Sequence, residues 1–411
     1  MNLLRIHLII ALRNIIRSPR RSGLTIGAIA FGLFCLIVFQ ALKDGLHKEM
    51  VSSSLALDTG AVQIHAGGYE SNLALTRNIP DLASVKAALA RTGLSRYTMR
   101  IKAPALILAG VGSSSVLLTG IMPEREQRVS FIARRIVAGA YLKEKDLSSR
   151  DIIMGQALAD SLGLAIGDQV NLMAQGAFAK PVLGRFTLKG VYRTSLTSFD
   201  RFHVYLPLTA AQNFLQAQGV ISEIVIRTDE NAARHYARTL AGLLPGPTYQ
   251  VRSWQEVLPD LQQLIELNDA TMNLLIIIVF AIVSLGIANT MTTVIFERFR
   301  EIGTLAAMGA TPAGIVGLIG LESLCLGAIA ALIGGITGLA ACHYFHIYGI
   351  DLSHFISDNH YFADGYLLRA ELSISDLFGA VAITLGTALL AGIYPACKAA
   401  GLEPVKAITH N

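Results

Sequence analysis

The chain has 411 residues, of which 53% are hydrophobic and only 15% are charged. Soluble globular proteins carry about 25% charged residues, so this composition excludes an ordinary soluble domain and indicates a membrane protein. The formal net charge of +5 at pH 7 does not indicate a nucleic-acid partner, because the basic residues are concentrated beside long apolar runs.

Four apolar runs meet the length of about 20 residues that a membrane-spanning helix needs. They predict spans at residues 22–42, 269–296, 312–343 and 377–397. The more polar stretch between the first two spans, residues 43–268, is long enough to be a folded domain. The predicted fold class is therefore an α-helical membrane protein with four transmembrane helices and a large α+β domain inserted between the first and second helices.

Residues 1–21 predict an amphipathic elbow helix along the inner leaflet. Arg5, Arg13 and Arg17 fall on one face, apolar residues surround the rest, and Pro19 ends the pattern. A simple basic anchor that does not move is the alternative interpretation.

The first predicted span carries Gly23 and Gly27 at a spacing that permits close approach of another helix. Its aromatic residues Phe31, Phe34 and Phe39 follow on the same run. These rings either face lipid or line an apolar cavity.

The inserted domain alternates strand-like and helix-like runs. The predicted strands are residues 59–65, 115–121, 169–173, 185–192, 203–206 and 222–227, and the predicted helices are residues 82–92, 156–162 and 231–244. A capping box at Ser253 and Glu256 predicts one stalk helix that runs from there into the second span. The domain contains no cysteine, so we expect it to fold without disulfides.

The placement of arginine predicts the orientation in the membrane, because cytoplasmic segments are enriched in Lys and Arg. Five arginines and no acidic residue precede the first span, and no Lys or Arg lies between Arg252 and Arg298. We therefore expect both termini, including the tail at 398–411, and the connection at 297–311 in the cytoplasm. The large domain and the loop at 344–376 would lie outside.

Glu322 is a carboxylic acid inside the third predicted span, where charged groups are costly and often functional. It lies about three helical turns from Pro312. We therefore expect it to pack near the cytoplasmic interface against a neighbouring helix, in a structural role that we prefer to proton transport.

Several kinds of chemistry are missing from the sequence. It has no G-x-x-x-x-G-K-[ST] motif for nucleotide phosphates and no H-E-x-x-H or G-x-S-x-G motif. Acidic and histidine residues cluster in the loop between the third and fourth spans, with a composition that could bind zinc: His343, His346, Asp351, His354, Asp358 and His360. Their spacing matches no defined site, so we expect a solvated loop and no metal.

The connection between the second and third spans reads ERFREIGTLAAMGATP. It resembles the "ER-x-REIG-x-L-x-x-x-GA" hallmark of FtsX-like permeases, the membrane subunits of MacB-type ABC transporters. In that family this segment is the coupling helix that docks on the ATPase. The resemblance implies a coupling role for Glu297, Arg298, Arg300, Glu301, Gly303, Leu305 and Gly309. Ala306 departs from the pattern, since many relatives carry arginine there.

Two further stretches resemble the same family. The run from Gly155 through Gly163 to Val170 is similar to the "G-x-x-LA-x-x-LGL-x-x-GD-x-V" signature of lipoprotein-releasing and MacB-type permeases. The run from Tyr394 to Val405 is similar to the family's C-terminal element. The resemblance to the lipoprotein-releasing permeases, LolC and LolE, implies that residues 43–268 are a MacB-like periplasmic core domain.

The resemblance implies the permease subunit of an ATP-driven complex in the bacterial inner membrane, with ATP and Mg²⁺ held by a separate ATPase. No cofactor and no enzymatic activity are expected on this chain. Its implied partners are an ATPase dimer, a second permease copy or paralogue, lipoprotein cargo, and a periplasmic carrier or adaptor. The candidate cargo cavity consists of Phe31, Phe34, Phe39, Met272 and Leu275.

Two alternatives stay open at this point. The first is an efflux or peptide-export permease of the MacB type. The second is an FtsX-like transmitter that transports nothing and activates a periplasmic hydrolase.

Overall fold

The structure is a computed structural model, and it describes residues 3–68, 75, 77–110, 112–143, 150–244, 246–352 and 367–400. Contacts within the chain divide it into two compact units. The helical unit consists of Met1–His47, Ile265–Ile350 and Leu367–Asn411, and the sheet unit consists of Lys48–Leu264 and Asp351–Tyr366.

The described helices are numbered in chain order. They are α1 (Leu3–Arg17), α2 (Pro19–Ser54), α3 (Leu82–Arg91), α4 (Pro123–Glu126), α5 (Gln156–Leu162), α6 (Thr197–Phe202), α7 (Leu208–Phe214), α8 (Ala233–Leu243), α9 (Trp254–Val257), α10 (Pro259–Glu297), α11 (Phe299–Ala307), α12 (Pro312–Tyr348) and α13 (Ile374–Ala400). A π-helical turn (Leu55–Thr59) follows α2, and short 3₁₀ turns occur at Ile132–Arg135 and Gly246–Thr248.

The described strands are β1 (Val62–Ala66), β2 (Tyr97–Ala109), β3 (Gly112–Ile121), β4 (Ile136–Gly139), β5 (Asp151–Gly155), β6 (Gln169–Gln175), β7 (Pro181–Tyr192), β8 (His203–Pro207), β9 (Glu223–Ile226), β10 (Tyr249–Ser253), β11 (Ile350–Asp351) and β12 (Leu367–Leu368).

Four helices in the described part of the chain are long and apolar enough to cross a bilayer. They lie at Pro19–Thr59, Pro259–Glu297, Pro312–Tyr348 and Ile374–Lys398. This confirms the predicted set of four transmembrane helices. Proline stands at the first position of α2, α10 and α12, where its missing N–H costs no helical hydrogen bond.

The packing within the helical unit depends on small residues of α12. A Cβ atom on Gly334 would lie 2.5 Å from the carbonyl oxygen of Ala30, and one on Gly327 would lie 2.8 Å from the Cβ of Ala388. Glycine therefore brings α12 directly against α2 and α13. No helix among the described residues approaches Gly23 or Gly27, since a Cβ at either position would meet no atom within 4 Å. Close approach of a helix from another chain at these glycines stays a prediction.

The sheet unit is built on one mixed sheet, which confirms the predicted α+β class. Ten of the described strands join it in the order β10-β1-β9-β2-β3-β8-β5-β7-β4, and β6 pairs with β2 and β7. The pairs β3–β8 and β5–β7 are parallel, whereas β2 and β3 form a long antiparallel hairpin. The largest apolar cluster lies between this sheet and helices α5 and α7 and includes Ile107, Leu118, Leu172 and Leu206.

The predicted stalk helix is interrupted. The backbone N–H of Ser253 donates to Glu256 Oε2 at 3.0 Å, which confirms the capping box. The helix that it begins ends at Val257, because Pro259 disfavours helical geometry at Leu258, whose φ and ψ are −119° and 66°. Helix α10 then begins afresh at Pro259.

Candidate functional site

The cytoplasm-facing connection predicted from the sequence is a short helix between two breaks. Helix α10 ends at Glu297, and the backbone N–H of Arg298 is shared between the carbonyl oxygens of Val294 and Ile295, both at 3.2 Å. Helix α11 ends at Ala307 and is followed by Gly309 with φ +94°, a left-handed value that favours glycine. Thr311 then caps α12 by accepting the N–H of Gly314 at 3.2 Å.

Two arginines from the N-terminal region are paired with the two glutamates of this connection. Both guanidinium Nη atoms of Arg21 donate to the carboxylate of Glu297, which is a bidentate arrangement. Arg17 Nη1 donates to Glu301 Oε1 at 3.0 Å. Two of the predicted coupling residues therefore contact the chain's own first helices.

Arg298 and Asn14 connect the same region to α12. Arg298 Nη2 donates to Asn14 Oδ1, and Asn14 Nδ2 donates to Glu322 Oε2 at 3.3 Å. Arg298 Nη1 also lies 3.6 Å from Glu322 Oε2. The buried carboxylate of Glu322 thus has a cation and an amide beside it, which offsets the cost of removing its charge from water. Glu322 thus packs against a neighbouring helix, as expected, and its structural role stays a prediction.

A cavity of about 240 Å³ lies among these side chains. Its lining contains equal numbers of guanidinium groups and carboxylates, together with Asn14, Ser18 and Val294: Arg17, Arg21, Arg298, Glu297, Glu301 and Glu322. We call this set, with Asn14, the hinge cluster. Its formal charge is balanced, so it has no excess charge with which to attract an ion of either sign.

The remaining predicted coupling residues separate into exposed and buried positions. Arg300 and Gly309 are exposed, and Gly303 is buried within the chain. The side chain of Leu305 lies outside the described residues. Exposed Thr304 and Met308 fall at four-residue intervals after Arg300, so these three residues form one exposed stripe on and just after α11. Thr304 and Met308 were not among the predicted coupling residues, although their spacing is a helical signal.

An apolar cleft of about 590 Å³ lies between α2 and α10. It is lined by Phe31 and Phe39, which are 67% and 56% exposed, and by α10 residues that include Ile282 and Ile287. The structure thus brings two of the five predicted cavity residues to one cleft. Phe34 packs partly buried into a core cluster, and Met272 and Leu275 do not line this cleft.

A second cluster of charges is buried in the sheet unit, where the sequence predicted none. Arg100 on β2 donates to Glu126 Oε1 at 2.6 Å and Oε2 at 3.1 Å, to Asp58 Oδ1 at 2.8 Å and to Glu223 Oε1 at 3.1 Å. Lys102 lies 2.7 Å from Asp58 and 3.0 Å from Glu223. Burial alone would lower the pKa of Lys102, but Asp58 and Glu223 outweigh it and raise that pKa above its usual value.

The neighbouring His203 is held neutral. Burial lowers its pKa from 6.5 to about 4, against the opposing effect of Asp58. Its ring stacks on Phe199 with ring centroids 3.8 Å apart. Arg100 and Lys102 stand between Met99, Ile101 and Ala103, and two cations alternating with apolar residues in a strand were the only sequence signal of this cluster.

Half of the acidic and histidine residues of the outer loop, for which a solvated loop without metal was expected, lie beyond the described range. His354, Asp358 and His360 lie outside the described residues, and His346 Nδ1 hydrogen-bonds the carbonyl oxygen of Ala370 at 2.9 Å. Over the described part of the chain, no group of three or more His, Cys, Asp or Glu residues is placed to hold a metal ion.

The sequence matches two known protein families. Residues 22–239, more than half of the chain, match the family described as "MacB-like periplasmic core domain". Residues 273–404 match "FtsX-like permease C-terminal".

Individual relatives are distant but extend over nearly the whole chain. The lipoprotein-releasing system transmembrane protein LolC of Xylella fastidiosa is 24% identical over 96% of this chain and 97% of its own length. The macrolide export ATP-binding/permease protein MacB of Neisseria gonorrhoeae is 22% identical over 97% of this chain but only 60% of its own length. Among solved structures, the periplasmic region of MacB from Actinobacillus actinomycetemcomitans matches with a TM-score of 0.35 and 14% identity, over 51% of this chain and 94% of that one.

Proposed function

Since the chain belongs to the family of FtsX-like permeases with a MacB-like periplasmic core domain, we propose that it is the membrane subunit of an ATP-driven complex that moves lipoproteins or similar lipid-anchored cargo out of the bacterial inner membrane. The support for a permease of the Lol and MacB type is the match along 97% of the length of LolC. The observation that carries the proposal is the exposed stripe of Arg300, Thr304 and Met308 on α11, the short helix that connects the membrane-spanning helices α10 and α12.

The ATPase docks on α11 through the stripe of Arg300, Thr304 and Met308. Met308 is 72% exposed, and Met and Arg are both enriched in protein interfaces relative to the rest of the surface. Gly309 lies at the end of the same surface. Glu297, Arg298 and Glu301 remain proposed coupling residues, acting through the position of α11. The same holds for Gly303, whose burial favours a packing role within the chain.

The proposed cargo site is the apolar cleft between α2 and α10. Its volume falls within the range of about 300–1,000 Å³ that is usual for ligand pockets, and its lining suits acyl chains. Leu275, Ile277, Ile282 and Leu285 leave α10 with a large exposed apolar surface. A second permease copy or paralogue facing this surface would enclose the cargo, and lipid covers the remainder.

In the proposed mechanism, ATP and Mg²⁺ bind to the separate ATPase, and closure of the ATPase dimer displaces α11. Because α11 is joined to α10 and α12 by short breaks, its displacement moves both membrane helices and compresses the cleft. Both termini would be cytoplasmic and the sheet unit periplasmic, where a carrier or adaptor receives the cargo.

A second candidate function is export of a small molecule or peptide; the name of the MacB relative describes macrolide export by that protein. It is favoured by the match to MacB along 97% of this chain. The MacB relatives are longer, and the chain spans about 60% of their length.

The test is purification of the full chain in mild detergent, followed by identification of what co-elutes. We expect an ATPase subunit and acylated protein, and reconstitution in nanodiscs should give ATP hydrolysis that acylated protein stimulates. A small-molecule substrate that stimulates hydrolysis when acylated protein does not would favour the second candidate. Absence of any co-eluting ATPase would contradict both.

A further inference from the structure

We infer that α1 and the first turn of α2 act together with α11 in coupling to the ATPase. Arg17, Arg21 and Asn14 are the positioning residues that hold α11 and the break before it. This inference rests on the proposed function and deepens it. It assigns a role to the N-terminal segment. The sequence alone left two interpretations of that segment, an elbow helix and a basic anchor that does not move.

The pairing is a register between two segments. Arg17 pairs with Glu301, and Arg21 pairs with Glu297, so two residues four apart meet two residues four apart in opposite order. Each pair spans a helix break, since Arg17 ends α1 and Arg21 is in α2, while Glu297 ends α10 and Glu301 is in α11. One contact could be incidental, but two in matched order hold the break between α10 and α11 against the break between α1 and α2.

The other members of the hinge cluster connect these paired segments to the membrane-spanning helix α12. Arg298 lies one residue after Glu297, contacts Asn14 of α1 and lies 3.6 Å from Glu322 of α12. Asn14 donates to the same carboxylate. Side chains from α1, α2, α12 and the segment that joins α10 to α11 therefore meet in one place, and a displacement of α11 acts on all of them.

The charge balance separates this role from docking on a partner. Three guanidinium groups face three carboxylates, and each has a partner within the cluster. A surface that recruits a partner through charge presents an excess of one sign. The exposed stripe at Arg300, Thr304 and Met308 is adjacent and distinct, so α11 uses different side chains for docking and for transmission.

The first experiment is a charge reversal with rescue in the reconstituted complex. Arg21→Glu and Glu297→Arg should each lower stimulated ATP hydrolysis at least threefold while the ATPase still co-purifies, and the double exchange should return hydrolysis to within twofold of the unmodified protein. Arg20→Glu is the matched control, since Arg20 is exposed and makes no ion pair with a described residue. It should leave hydrolysis unchanged.

The rescue has two outcomes that would overturn the inference. Hydrolysis that stays low in the double exchange, with the ATPase still bound, would mean that Glu297 acts on the ATPase and not on Arg21. Single reversals that match the Arg20→Glu control would mean that the pairing transmits nothing.

A second measurement needs no ATPase and covers the case in which a reversal disturbs folding. In a background without the four native cysteines, Arg21→Cys with Glu297→Cys should be joined by a short bifunctional thiol reagent in membranes. Arg20→Cys with Glu297→Cys should be joined several-fold less. Equal joining of both pairs would overturn the register. Loss of ATPase co-purification from the unmodified chain would instead refute the proposed function and leave this result standing.

Discussion

Replacement of Arg100 by methionine should strongly destabilise the sheet unit. Arg100 and Glu126 are each 1% exposed, and Glu223 is 3% exposed, so water cannot replace the lost guanidinium. Removal of one partner from a buried ion pair costs about 3–5 kcal/mol. Since domains are stable by only about 5–15 kcal/mol, Arg100→Met should remove a large part of the unfolding free energy.

The assay is urea unfolding of the soluble fragment 43–268, followed by circular dichroism under reducing conditions. With a denaturant slope of about 2 kcal/mol per molar, a loss of about 4 kcal/mol shifts the midpoint by about 2 M. Lys143→Met, at an exposed position, is the matched control and should change the unfolding free energy by less than about 0.5 kcal/mol.

A second variant separates loss of the pair from loss of packing. Arg100→Met combined with Glu126→Leu removes the uncompensated carboxylate and should be more stable than Arg100→Met alone, because the burial penalty of Glu126 disappears. A midpoint for Arg100→Met within 0.3 M of the unmodified fragment would refute this reasoning, as would a double variant that is less stable than the single one.

Three other predictions follow from the described geometry. Reversing Arg300 together with Met308→Glu should abolish co-purification of the ATPase, and retention of full ATPase binding would exclude the exposed stripe as the docking surface. For His203, the unfolded chain binds a proton near pH 6.5 that the folded domain binds only near pH 4. The unfolding free energy should therefore fall by about 3 kcal/mol as pH falls through that window, and the fall should be smaller in His203→Gln. In intact cells, a membrane-impermeant thiol reagent should label Lys180→Cys and not Ala310→Cys in a cysteine-free background, and the reverse pattern would invert the proposed orientation.

The sequence predicted the elements that have a strong local signal. Helix α5 lies at residues 156–162, where the pattern placed it, because Gly163 with φ +64° ends it in a left-handed turn. The four membrane helices were equally predictable from length and apolarity. Strand β2 was missed, because Arg100, Lys102 and Pro104 interrupt its apolar pattern. Its charges are stabilised by residues from distant parts of the sequence, and no local pattern carries that information.

The sequence predicted the connection between α10 and α12 as one helical segment, but not which of its side chains are exposed and which are paired within the chain. The motif correctly indicated a short helix that ends before Gly309, with the next helix beginning at Pro312. It gave no means of distinguishing Arg300, which is exposed, from Arg298, which lies beside Glu322. That distinction depends on α1 and α12, which lie beside α11 only in the folded chain. The four-residue spacing of Arg17 and Arg21 and of Glu297 and Glu301 was visible, but its meaning required the register between them.

The Arg100 cluster and the hinge cluster differ in how far their ion pairs are buried, and therefore in how easily those pairs can separate. In the Arg100 cluster, Arg100, Glu126 and Glu223 are at most 3% exposed, although Asp58 is 22% exposed. A rearrangement that separated Arg100 from Glu126 would leave an unpaired charge in a low-dielectric interior at a cost of several kcal/mol. In the hinge cluster, Arg17 and Glu301 are 72% and 53% exposed. Exposed pairs are worth about 0–1 kcal/mol each, because water replaces a lost partner. The Arg17–Glu301 and Arg21–Glu297 pairs can therefore break and re-form during the proposed ATPase cycle. Arg298 and Glu322 are mostly buried and, like the Arg100 cluster, must keep their partners.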